Sequence, residues 1–297
     1  MYPAPIEKYH RPKSAEEARQ AAIDAQGEYM YFAGGMSLMQ AMKSRMISPD
    51  CVIDLNDIDE LKGISTTDGI IRIGAMTRYR DIAEKADALG PFQALSDAAA
   101  NVGDRQVRNR GTVGGSLAWN HYHACSPIAA LACGASVNIL RSSGTSETVA
   151  IDDFLLGALT TDLDDADLLL SVDLDPPDAA AASAYRKWGI VKDAVPVIGV
   201  GVFLELDSSG LCARARFAVG GLPTGPQRSP DAEERLTGGL DLDDTAALRS
   251  CAAAAAAQIE TESDPWISAD YKQHLIERLG TEMLVKAVQR ARGAENA

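Results

Sequence analysis

Two short segments, Ala33-Gly34-Gly35-Met36-Ser37 and Thr112-Val113-Gly114-Gly115-Ser116, constrain this chain more than any other feature. A glycine has no Cβ, so its backbone can turn sharply and approach another group closely. The first pair follows a strand-like Tyr31-Phe32 and precedes a helix-like stretch opened by Ser37, a residue suited to capping. A strand, a glycine turn and a helix start together present backbone N–H groups and the positive end of a helix dipole, which suits an anion such as a pyrophosphate. The second segment adds two hydroxyls beside its glycines. Alone, a Gly-Gly turn between strand and helix is more often only a turn. Neither segment fits G-x-G-x-x-G, so a Rossmann site is not expected. A third run, Gly220-Gly221-Leu222-Pro223-Thr224-Gly225, reads as a structural loop, because proline lacks the N–H an anion loop needs.

Charge narrows the ligand. The 297 residues carry 42 acids against 28 bases, a formal net charge of -14. Such a chain repels nucleic acid and anionic membranes, and no basic run offers a local exception. It is expected to hold a dinucleotide through neutral N–H groups. No apolar stretch reaches the roughly 20 residues a membrane span needs. The N-terminus lacks the marks of a secretory signal, so a cytoplasmic location is expected. Cys51, Cys125, Cys133, Cys212 and Cys251 are scattered without a C-x-x-C. A zinc or iron–sulfur site on this chain alone, or a disulfide framework, is therefore not expected.

The patterning predicts α+β. A capping box at Ser14 starts a helix over 15–25. A helix over 38–45 and a strand over 51–55 follow the first segment. Strand 70–75, a helix to residue 88 capped by Thr77, a helix from Pro91 to about 103 and a helix over 127–133 come next. Strands over 137–140, 147–151 and 168–174 complete the first part. Asp175-Pro176-Pro177-Asp178 marks a boundary. Beyond it lie strands over 184–190, 197–206 and 212–219, then helices from Ser229-Pro230, over 243–260 and over 268–290. The expected domains are 1–176, with sub-domains of about 1–56 and 57–176, and a second α+β unit over 180–290.

These residues carry a resemblance. The runs Tyr31-Phe32-Ala33-Gly34-Gly35-Met36-Ser37-Leu38 and Gln106-Val107-Arg108-Asn109-Arg110-Gly111-Thr112-Val113-Gly114-Gly115-Ser116-Leu117-Ala118 resemble signatures of the molybdenum hydroxylase medium subunits, the xanthine dehydrogenase and carbon monoxide dehydrogenase family. The likeness continues through Asp167 to Val172, Ala184 to Lys187, Gly220 to Arg228 and Ser268 to Leu275. It implies an FAD-binding domain of the p-cresol methylhydroxylase type, built from two sub-domains with FAD between them. A smaller C-terminal domain of the CO dehydrogenase flavoprotein type would close over the flavin. By the same resemblance, Phe32 and Ala33 to Ser37, with Thr112 to Ser116, would hold the pyrophosphate from two sides, and Leu169 and Lys187 would lie near the isoalloxazine ring. A cation there would favour the reduced, anionic flavin.

The chain departs from the family at two places. Met36 stands where the family often has His. After Ala118 the family usually continues Asn-Ala-Asp-Pro-Ala-Ala-Asp, whereas this chain reads Trp119-Asn120-His121-Tyr122-His123-Ala124-Cys125. The second family Asp, a flavin contact, aligns with Cys125, and a thiol cannot replace a carboxylate acceptor. His121 and His123 are expected to line or pack the pocket rather than bind metal.

The resemblance implies an electron-transfer role as an oxidoreductase subunit in a heterotrimer or its dimer. A large subunit would oxidise substrate at a molybdopterin cofactor, and a small subunit would carry two 2Fe-2S clusters. FAD on this chain would pass electrons to an external acceptor. A purine or other N-heterocycle, CO or an aldehyde are the expected substrate classes. A self-contained flavin oxidoreductase and a cofactor-less scaffold remain the alternatives.

Overall fold

The computed structural model describes residues 5–293. Three larger sheets, each with its own helices, follow the chain in order, beside a two-stranded ribbon of Leu155–Gly157 and Thr160–Thr161. The N-terminal sheet is parallel, with strand Cys51–Asp54 between Lys8–His10 and Tyr29–Phe32. Helix Ala15–Ile23 packs on it through Ala15, Ala18 and Ala22, and the Ser14 hydroxyl accepts the Glu17 N–H as the capping box requires. A five-stranded antiparallel sheet follows, in the order Ile64–Thr67, Ile70–Gly74, Leu168–Leu174, Ser136–Leu140, Ser146–Ala150. The last sheet runs Ala181–Trp188, Ile198–Leu206, Cys212–Gly220, Gln227–Arg228, also antiparallel. Helices Pro230–Thr237, Thr245–Gln258 and Ala269–Ala291 cover this sheet. No helix among the described residues is long and apolar enough to cross a membrane.

The C-terminal sheet leans on the middle layer through helix Cys125–Cys133, all of whose residues are buried. Glycines make this approach possible. A Cβ on Gly220 would come within 2.5 Å of Ile128 Cδ1, and one on Gly201 within 2.9 Å of Ala132 Cβ. Phe92 stacks on Phe203 at 5.7 Å, and burying a side chain of this size stabilises by about 1.5–3 kcal/mol. Asp97 adds a polar staple, accepting from the Tyr185 N–H and from Lys286 and Arg290 of the last helix.

Several local expectations change. The helix expected over 127–133 begins at Cys125, because Pro127 is tolerated in a first turn whose N–H groups have no helical partner. Thr77 does not cap a helix. Its hydroxyl bonds both the N–H and the carbonyl of Gly63, and the helix Tyr79–Glu84 starts after Arg78. Ser37 sits at the start of helix Leu38–Lys43 but makes no side-chain capping bond. Three short α-helices were not anticipated: Arg105–Arg110, capped by Asp104; Val113–Trp119, which begins inside the second glycine segment; and Ile151–Phe154, which takes over where the strand expected over 147–151 ends.

Candidate functional site

A cavity of about 310 Å³ opens between the parallel sheet and the five-stranded sheet. Ala33 to Leu38 form one wall, and Thr112, Gly114, Gly115, Ser116 and Leu169 contribute to the others. The two glycine segments, about 80 residues apart in sequence, touch each other. A Cβ on Gly34 would meet the Arg110 carbonyl oxygen and come within 2.8 Å of Gly111 Cα. One on Gly115 would lie 3.3 Å from Ala33 Cβ.

The segments differ in what they offer a ligand. Gly35 takes φ +72, a left-handed value that glycine adopts without strain, and its Cβ would strike the Phe32 ring at 2.5 Å. Around this turn the N–H groups of Gly34, Gly35, Met36 and Ser37 meet no acceptor among the described residues. Gly34 and Gly35 are buried. Buried backbone donors are nearly always paired, so the Gly34 and Gly35 N–H groups mark a place for an acceptor, and those of the half-buried Met36 and the exposed Ser37 continue the row toward solvent. In the second segment the donors turn inward. Val113 N–H bonds Thr77 O, Gly114 N–H bonds Ala75 O, Ser116 N–H bonds Thr112 O, and Gly115 N–H bonds the Thr112 hydroxyl. The Thr112 oxygen therefore acts as a helix cap. This segment presents a close-packed wall and the Ser116 side of a short helix. A pyrophosphate fits this arrangement, with its donors on the first segment.

The remaining expected residues are spread more widely. Phe32 is half-buried beneath Gly35, and Val113 is buried behind the wall. Cys125 is fully enclosed outside the cavity lining, beside Tyr185. Burial pushes its thiol up, partly offset by Tyr185 and Lys187. Lys187 is also outside the lining. It is 9 % exposed, and its ammonium donates to the Ala194 carbonyl.

Other residues complete the wall: Tyr79, which carried no signal of its own in the sequence, Asp167 and Trp119 from the runs quoted above, and His121, which was expected to line the pocket. Tyr79 lies against Gly111, where a Cβ would come within 2.6 Å of its ring. Burial pushes its phenol up, with Ser116 and Ser126 opposing. Asp167, next to Leu168 and Leu169 in the wall, is held by Arg141 at 2.8 Å and by the N–H groups of Ser142 and Asp164. Trp119 and His121 also line the cavity. Burial pulls the His121 imidazole below its ordinary value. The rings of His121 and Tyr122 stack at 4.4 Å, and His123 Nδ1 lies 2.7 Å from the Pro196 carbonyl, to which it donates. Among the described residues no group of His, Cys, Asp and Glu could hold a metal ion.

All five thiols are buried, and burial raises each of them, Cys133 to about 12 and Cys212 to about 11. Thiolate is the reactive form. A disulfide-exchange reagent at pH 8 is therefore expected to titrate almost no thiol in the native chain and five after denaturation. Rapid labelling of the folded protein would show that this packing is wrong.

Residues 4–176 match the family model described as the FAD binding domain in molybdopterin dehydrogenase, and residues 169–289 match the CO dehydrogenase flavoprotein C-terminal domain. The glyceraldehyde dehydrogenase medium chain of Sulfolobus acidocaldarius is 30% identical over 280 residues, covering 94% of this chain and 97% of the relative. Quinoline 2-oxidoreductase from Pseudomonas putida 86 matches with a TM-score of 0.88 and 28% identity, covering 99% of each chain. Carbon monoxide dehydrogenase from Hydrogenophaga pseudoflava matches with a TM-score of 0.88 and 30% identity, again over 99% of each. With both domain types present in order over nearly its whole length, the chain belongs to the molybdenum hydroxylase flavoproteins, as one of their FAD-binding medium subunits.

Proposed function

We propose that the cavity holds FAD with its pyrophosphate on the N–H groups of Gly34, Gly35, Met36 and Ser37, and that the chain links iron–sulfur clusters of a partner subunit to an external acceptor. The row of N–H groups without acceptors carries this reading. Those donors stabilise phosphate charge by hydrogen bonding, without cations, which suits a chain of net charge -14. The wall formed by Thr112, Gly114, Gly115 and Ser116 sets the depth of the cleft, and Leu169 supplies an apolar surface for the ring end. Phe32 and Val113 shape the two segments from behind. Lys187 and Cys125 act from outside the lining, Lys187 by anchoring the 189–196 loop through Ala194. A bound flavin supplies the change from single-electron to paired-electron transfer. The protein's own part is to bind it, orient it and exclude water.

The substrate is oxidised on a large molybdenum-cofactor subunit, and a small subunit carries the clusters, in a cytoplasmic heterotrimer or its dimer. An N-heterocycle is the substrate class we favour, supported by the quinoline enzyme among the similar structures. The test is a comparison of the full chain alone, supplied with FAD and candidate substrates, against the chain recombined with its two partners. No turnover alone and turnover in the complex is expected. Substrate turnover by the chain alone would make it a self-contained oxidoreductase.

A further inference from the structure

We infer that Asn56 and Arg78 are positioning residues that aim the Gly34 N–H at the flavin pyrophosphate, an inference that rests on the FAD reading above. The chain of contacts starts in the second segment. One arm of the Arg78 guanidinium donates to the Arg110 carbonyl and the other to Asn56 Oδ1. Arg78 also bridges Thr112, and the adjacent Tyr79 N–H bonds the Gly111 carbonyl at 3.1 Å, so this end is fixed to the second segment. Asn56 Nδ2 then donates to the Ala33 carbonyl at 2.9 Å. Asp54 holds Asn56 from below, accepting its backbone N–H at 2.9 Å and its side-chain amide.

The chemistry of these groups leaves one arrangement. A guanidinium only donates, so Asn56 must turn its oxygen to Arg78 and its NH₂ to Ala33. A trans peptide is planar, with the carbonyl of one residue and the N–H of the next pointing in opposite directions. Drawing the Ala33 oxygen toward Asn56 therefore directs the Gly34 N–H the other way. That N–H is one of the donors without an acceptor. Without the Asn56 hydrogen bond the Ala33 carbonyl has no partner among the described residues, and the Ala33–Gly34 peptide is held less firmly. The donor row would then have to be ordered when the ligand binds. Arg78 is half-buried, and burial followed by the nearby Arg110 charge pulls its guanidinium below its ordinary value. An ammonium could not replace it as a strut, since one Nζ cannot span both acceptors.

FAD affinity is measured on the full chain by flavin fluorescence, beside the melting temperature of the flavin-free protein and the visible spectrum of bound flavin. Asn56→Ala and Arg78→Ala are each expected to weaken FAD about tenfold. The double variant should be no weaker than the worse single, because both act through one strut. The spectrum of bound flavin should not shift, since the strut serves the pyrophosphate end and not the ring. Arg78→Lys should fail to restore affinity. Wild-type affinity in both single variants, or additive losses, overturns the inference, as does a shifted flavin spectrum with unchanged affinity. If the alanine variants do not fold, Arg78→Lys decides, with about tenfold loss supporting the strut and wild-type affinity refuting it. A wild-type chain that binds no FAD would instead defeat the underlying reading, before any variant is compared.

Discussion

Gly34→Ala is expected to weaken FAD binding by at least about a hundredfold, roughly 3 kcal/mol. The reason is steric rather than conformational, because Gly34 is not in the left-handed region. The added methyl would run into the Arg110 carbonyl and Gly111 Cα, both backbone, so neither side can yield by a rotamer change. The first segment must move away from the second, and the donor row moves with it. The contact lies between a loop and the C-terminal end of the short helix Arg105–Arg110, so global stability should fall much less than affinity. Equilibrium binding with thermal melting separates the two effects. Wild-type affinity in this variant would show that the segments can part without disturbing the site.

The second large effect is expected at Arg141→Met, a loss of about 3 kcal/mol of stability together with weaker FAD binding. Arg141 serves three carboxylates, Asp162 at 2.6 Å, Asp167 at 2.8 Å and Glu147 at 2.6 Å. Their company raises its guanidinium further above the ordinary value, Asp162 most. Glu147 is 55% exposed, so that pair contributes little. The Asp167 side chain is 1% exposed, and removing its partner leaves a buried carboxylate on two backbone N–H groups alone. Asp167 also forms part of the cavity wall, so its displacement reaches the ligand. Denaturant unfolding gives the first quantity and flavin titration the second. Unchanged stability would mean that solvent reaches Asp167.

What could be read from the sequence was what neighbours along the chain decide. The Ser14 cap, the glycine turn at Gly35 and the hairpin joining strands Ile198–Leu206 and Cys212–Gly220 depend on residues within one turn of each other. The inward use of the second segment's donors was not legible, because the acceptors, Ala75 O and Thr77 O, lie more than 30 residues away. Asn56 and Arg78 were missed for the same reason, since nothing local marks an amide whose partners are Ala33 and Arg78. Ser37 looked like a cap by position, yet its φ of -90 and ψ of -47 are already helical, so its hydroxyl does not reach back to a free N–H. The burial of Lys187 was not legible either, because its partner, the Ala194 carbonyl, belongs to the 189–196 loop that follows the strand.

The central claim is that one FAD sits on the Gly34 to Ser37 donors. Equilibrium dialysis of the full chain against FAD, with and without excess ADP, tests it most directly, because ADP carries the pyrophosphate but no flavin ring. Expected is one FAD per chain, with visible flavin absorption, displaced competitively by ADP. A chain that takes up no flavin, or one whose bound FAD is indifferent to saturating ADP, would contradict the claim.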